Sequence, residues 1–165
     1  MRRAGAGPET TGAWTGRVTP DVCAAIGGLP LPVDWGRVRL YGARCGRAAG
    51  AARRAVLRLS RGRAVALGNH VFLPERCEGD LAILAHEVTH CAQYQAWGPW
   101  RYYRRAASAQ LRDLAHRVLG VGRSPYAYAR VPGRPFEAYG MEQQAQIVED
   151  ALRGSAPARA ILGLS

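Results

Sequence analysis

A chain of 165 residues with 48% hydrophobic side chains can bury one core, which excludes disorder throughout. Its formal net charge of +11 comes from 23 basic residues, all arginine and scattered along the chain, which argues against a dedicated nucleic-acid face. No apolar run approaches the roughly 18 residues of a membrane span, and "MRRAGAGPETTGAW" has no apolar stretch behind its arginines, so no signal peptide is expected.

Residues 1–18 lack periodicity and read as a flexible leader, with one domain over 19–165. "VTPDVCAAIGGLP" holds one short helix that stops at the Gly-Gly-Leu-Pro signal. "WGRVRLYG" alternates, with Val38 and Leu40 on one face, and reads as a strand. Residues 47–59 favour a helix whose apolar stripe is Ala52, Ala55, Val56 and Leu59. "RAVALGNHVFLP" gives a second strand or a hairpin at 63–73, ended by proline. The next helix starts at Asp80, a good N-cap, and stops at Gly98-Pro99. "WRYYRRAASAQLRDLAHRVLG" supports another, closed by Gly120, followed by a long Pro- and Gly-rich loop over 121–136. A helix over 141–152 and a last helical turn near the C-terminus complete an α+β order, mostly helical with a small sheet. The four cysteines, at 23, 45, 77 and 91, include no C-x-x-C pair and are expected as reduced thiols, a Cys77–Cys91 bridge being left open.

Chemistry concentrates in "LAILAHEVTHCAQYQAWG", residues 81–98. His86 and His90 are four apart, so on a helix both imidazoles can reach one ion. A catalytic zinc takes three protein ligands and a water, and a glutamate after the first histidine can accept the water's proton. That division of roles is why the pattern is H-E-x-x-H, with Glu87 as general base. Leu81, Leu84, Val88, Cys91 and Ala92 form a core stripe, while His86 and His90 fall nearly opposite, beside Ile83, Gln93 and Trp97. Core histidines would lie among the leucines, and solvent-facing ones would not sit on a helix that is apolar on both faces.

The third ligand must come from elsewhere. His116 sits in an ordinary amphipathic segment. On the 141–152 helix, Met141, Ala145, Val148 and Leu152 make the apolar face, while Glu142, Gln146 and Glu149 share one edge. Glu142 and Glu149 are about 10 Å apart along the axis, so one of them is the expected ligand, with Glu142 preferred. The strand before the metal helix offers an edge that could hold an extended peptide, with His70 on it. Tyr126, Tyr128 and Tyr139 are candidates to stabilise an oxyanion, although packing is the simpler role for each.

"LAILAHEVTHCAQYQ", preceded by "VALGNHVFLP" and "LPVDWGRVRLYG", resembles the eCIS core domain of bacterial proteins linked to extracellular contractile injection systems. Val38-Arg39, Ala48 to Ala55, Gly68 to Phe72 and Leu84 to Gln93 take the places of that family's strand, Ala-rich helix, Gly-containing strand and "LLAHELTHVxQ" helix. The resemblance spans about 30–98 and implies a zincin-like, gluzincin-type metallopeptidase with Zn2+. It also implies secretion-system or toxin components as partners and export by a specialised secretion system. By the same analogy the third ligand is a Glu just before the helix's Ala. Here Gln144 stands before Ala145, and Glu142 lies two positions earlier.

Two functions follow as expectations. The leading one is zinc-dependent peptide hydrolysis, with His86, His90 and Glu142 on the metal, Glu87 as base, and a peptide or protein as substrate. The alternative is a non-catalytic zinc-binding module that mediates protein contacts; the retained Glu87, which a structural site does not need, favours the enzyme. Neither nucleic acid nor membrane is an expected partner.

Overall fold

The computed structural model of the protein describes residues 15–16, 18, 20–27 and 32–164. Of the leader expected over 1–18, residues 1–14 and 17 lie outside that range. Its end does not: β1 (Thr15–Gly16) pairs antiparallel with β2 (Arg39–Tyr41).

The described architecture is α+β, as the element order predicts. After the helix α1 (Pro20–Ile26), a 3-10 turn at Trp35–Arg37 leads into β2. The helix α2 (Arg47–Leu59) then crosses to a hairpin of β3 (Val65–Leu67) and β4 (His70–Phe72). The sheet order is β1-β2-β4-β3, with β2 and β4 parallel, so the crossover through α2 is what a parallel pair demands. Gly68 and Asn69 make the two-residue hairpin turn. Gly68 has φ +62°, and a Cβ there would meet the Tyr94 ring at 3.2 Å, so both backbone and packing require glycine.

The stripe expected on α2 is displaced. Leu59 is 87% exposed, and Ala52 and Ala55 are exposed too. The inward side is Ala49, Arg53, Val56 and Leu57, all half-buried. Arg53 turns inward because its Nε donates to the Leu73 carbonyl at 2.8 Å, just past the end of β4. A polar residue with a backbone acceptor to satisfy set the helix's rotation, and the alanines yielded.

The helix α3 (Leu81–Leu119) begins as predicted, with Asp80 Oδ1 accepting from the amides of Ala82 and Ile83. It is broken at Gly98, whose φ of 74° and ψ of 164° are non-helical, immediately before Pro99. The predicted stop is therefore real, although a second helical stretch continues from it to the left-handed cap at Gly120. The helix α4 (Met141–Leu152) packs along the first part of α3, and α5 (Ala156–Ile161) packs on α4. Between α3 and α4 the long loop is pinned by Tyr139, whose hydroxyl donates to Ala129 O and accepts from Val131 N.

Val38, Leu40, Val71, Leu73, Leu84, Val88, Ile147 and Val148 meet where sheet, α3 and α4 converge. Leu84 is fully buried there, so Leu84→Ala should lower unfolding free energy by about 2–5 kcal/mol in a denaturant titration. Cys77 and Cys91 are buried free thiols, and no disulfide occurs among the described residues. No helix among the described residues is long and apolar enough to cross a membrane.

Candidate metal centre

The first part of α3 is buried nearly all round. Leu84, Val88, Cys91 and Ala92 face the core as the periodicity implies, while His90 and Gln93 are also buried, on the side covered by α4. The sequence places His86 and His90 one turn apart, and their rings stand edge to face with centroids 5.1 Å apart.

Both Nε2 atoms point toward one carboxylate oxygen. Glu142 Oε2, in the first turn of α4, lies 3.5 Å from His90 Nε2 and 4.0 Å from His86 Nε2. Each of the three residues offers one ligand atom, and these atoms all lie within 4.8 Å of one another, so the group could hold a metal ion. Two nitrogens and one carboxylate oxygen fit the three-ligand donor set that a catalytic zinc uses.

The other nitrogen of each ring has its own partner. His90 Nδ1 is 2.9 Å from Gln93 Oε1, which can only accept, so Nδ1 carries a proton and Nε2 is the nitrogen whose lone pair is exposed when the ring is neutral. Gln93 Nε2 donates in turn to the Met141 carbonyl at 3.0 Å and to Gln144 Oε1 at 2.9 Å. Gln144 Nε2 reaches the carbonyls of Tyr139, at 3.0 Å, and Glu137. On the other ring, His86 Nδ1 lies 3.0 Å from Glu149 Oε2, an ion-pair contact whose angle falls short of a hydrogen bond. Arg153 holds Glu149 from behind, through Nε at 3.2 Å, and joins it to Asp80 at 3.0 Å.

Glu142 and Glu149 thus stand at different atoms of the histidine pair, Glu142 facing both Nε2 atoms and Glu149 the Nδ1 of His86. A helix separates them by about two turns, but one imidazole has two nitrogens, and His86 uses both. Gln144, at the position to which the family analogy pointed, is outside the converging group, its amide engaged by Gln93 and the preceding turn. His116 lies outside the cluster. The Gln93–Gln144 network was missed in the sequence; its only trace there is a glutamine three residues after His90, on the histidine side of the helix.

Charge accompanies this geometry. Burial alone would push His90 down, but the hydrogen bond and charge of Glu142, with Glu87 and Gln93, hold it up at about 9. Glu142 is likewise held below its ordinary value despite burial, through His90 and then His86. With any metal stripped by a chelator, this pair stabilises fully between the ordinary glutamate value of 4.5 and the ordinary histidine value of 6.5, and stops doing so as pH rises through about 9. Thermal midpoints should therefore fall over that window, and Glu142→Gln should flatten the fall.

Glu87 is 6% exposed and lines the same cleft. Burial raises its carboxyl above the ordinary range, against the lowering effect of His86 and His90, while Glu142 adds to the rise and the Ala66 amide opposes it. That amide belongs to β3, the end strand of the sheet, and the Ala66 carbonyl accepts from the Tyr102 hydroxyl. The edge proposed to hold a peptide is therefore already taken at Ala66 by α3. The cleft itself is about 550 Å³, bounded by Arg63 to Leu67 on one side and by His86, Tyr126 and Glu142 on the other.

Of the three loop tyrosines, Tyr126 faces this cleft, with its ring centroid 6.5 Å from that of His86 and its hydroxyl pushed up to about 12, chiefly by burial. Tyr128 donates to Asp150 at 2.6 Å, and Tyr139 pins the loop, so those two are structural. His70 is exposed on β4 and contacts the Tyr41 hydroxyl at 2.9 Å, away from the cleft.

No curated protein and no solved structure is significantly similar to the chain. A family does match over less than half of it, from just before the Trp35–Arg37 turn to the break at Gly98. That span contains His86, Glu87 and His90 but not Glu142 or Glu149, so the carboxylates come from a helix beyond it. Residues 33–98 match the eCIS core domain family.

Proposed function

We propose that the protein is a zinc-dependent peptidase with a zincin-like arrangement, in which His86, His90 and Glu142 hold the ion and Glu87 serves as general base. One observation carries this reading: both Nε2 atoms converge on Glu142, while Glu87, between the two histidines in sequence, lines the same cleft without joining the ligand group. A site that only stabilised the fold would use all its donors and would have no need of a further buried acid beside them.

Bound zinc would supply Lewis acidity and a water acidic enough to lose a proton near neutral pH. The protein's own residues supply the rest. The raised Glu87 carboxylate is a stronger base than an exposed glutamate, better matched to accepting a proton near neutral pH. Gln93 and Glu149 keep the two Nδ1 atoms occupied so that both Nε2 atoms face inward. Tyr126 keeps its proton at neutral pH and can donate to an oxyanion in the cleft. The substrate is a peptide or protein segment laid in the cleft beside β3.

Elemental analysis and digestion of a mixed peptide library test this together. About one zinc per chain, with cleavage that chelation stops and zinc restores, is the expected result. Stoichiometric zinc with an uncut library would instead favour the binding-module reading, and a folded chain that takes up no zinc would remove both.

A further inference from the structure

Beyond Gly98, α3 carries a second apolar face. Trp100, Arg104, Ala107, Leu111, Leu114 and Val118 are all exposed, and the four large apolar members are between 58% and 82% so. They recur at steps of four, three, four, three and four residues, the alternation of a coiled-coil seam. The side of this helix that packs on the domain is a different strip, Tyr102, Ala109 and Asp113, lying roughly opposite on the 100° wheel. Leu111, Leu114 and Val118 are thus not a core stripe left partly uncovered; the helix is apolar on its outer side as well as its inner one. A stripe of this length turned to solvent marks an interaction surface.

Its chemistry selects the occupant. Arg104 lies on the seam itself, so any helix laid there buries a guanidinium and must bring a carboxylate to it. Arg101 stands on the flank next to it. The single acid between 99 and 119 is Asp113, which is on the buried side and paired with Arg117 at 2.9 Å. A second copy of the chain would set arginine toward arginine with no acid in reach, and the +11 net charge opposes that pairing further. We propose that this seam docks an acidic amphipathic helix of a partner protein, with apolar residues at its a and d positions and Asp or Glu beside them.

The full-length chain can be titrated into a fluorescent synthetic peptide of about three heptads, with leucine at a and d and glutamate at e and g, and followed by anisotropy. A control peptide carries lysine in place of glutamate. The glutamate peptide should bind at least about tenfold more tightly than the control, and added salt should narrow that gap. The double variant Leu111→Gln/Leu114→Gln, and separately Arg104→Ala, should each weaken binding by about tenfold, with circular dichroism and melting temperature unchanged. Equal affinity for the two peptides would overturn the proposal, as would indifference to these variants. So would sedimentation showing self-association that the double variant abolishes, or binding to equimolar phosphatidylserine–phosphatidylcholine vesicles with none to the peptide.

Discussion

Replacing Glu87 by glutamine should reduce peptide hydrolysis by roughly 10²- to 10⁴-fold, the usual worth of a positioned general base, while the bound zinc stays at the wild-type ratio. The two halves of that expectation rest on different observations. Glu87 lines the cleft but lies outside the group of converging ligand atoms, so its charge is dispensable for holding the ion. Its burial and raised pKa, on the other hand, are the properties of a proton acceptor rather than of a solvated helix charge. Glutamine keeps the volume and a buried polar end, so folding should be little changed and any loss of rate is chemical. The measurement is a paired one, rate on a cleaved peptide and zinc by elemental analysis. A variant that cuts as fast as wild type would remove Glu87 from the mechanism. One that loses the metal would instead make Glu87 a ligand.

The second large effect separates the two glutamates of α4. Glu142→Ala removes a donor that faces both Nε2 atoms and should all but abolish stable zinc binding in a competition titration against a chelator. Glu149→Ala removes only the partner of His86 Nδ1, for which a loss of roughly 10- to 100-fold in affinity is expected. Rank order is the test. Were Glu149→Ala the more damaging of the pair, the ion would sit at the other end of the His86 ring, and His90 would not share it.

How much of this site could be read from residues alone follows from what each feature depends on. The histidine pair, its helical face and the Asp80 cap are local, governed by spacings of three and four residues, and all three are legible in the sequence. The stop at Gly98-Pro99 is local as well, since both residues act through their own backbone geometry. Which glutamate meets the ion depends instead on how α4 docks along α3. Spacing puts Glu142 and Glu149 on one edge but cannot show that a single imidazole would engage both. The rotation of α2 failed for a similar reason: the carbonyl that draws Arg53 inward belongs to Leu73, twenty residues on and on another element. The edge of β3 looked free because nothing in its own sequence tells of the Glu87 and Tyr102 groups that occupy Ala66. Pairings across long separations, polar ones above all, were the illegible part.

The glutamine relay beneath His90 has a consequence for how an ion would arrive. Gln93 ties His90 to the carbonyl of Met141 and to Gln144, at the very turn of α4 that carries Glu142. Imidazole and carboxylate are therefore braced by the same hydrogen bonds that dock one helix on the other, and the donors are preorganised by folding itself. Capture then demands little rearrangement, unlike a zinc finger whose chain collapses only around its metal. Stripping the ion should leave an intact, re-loadable scaffold.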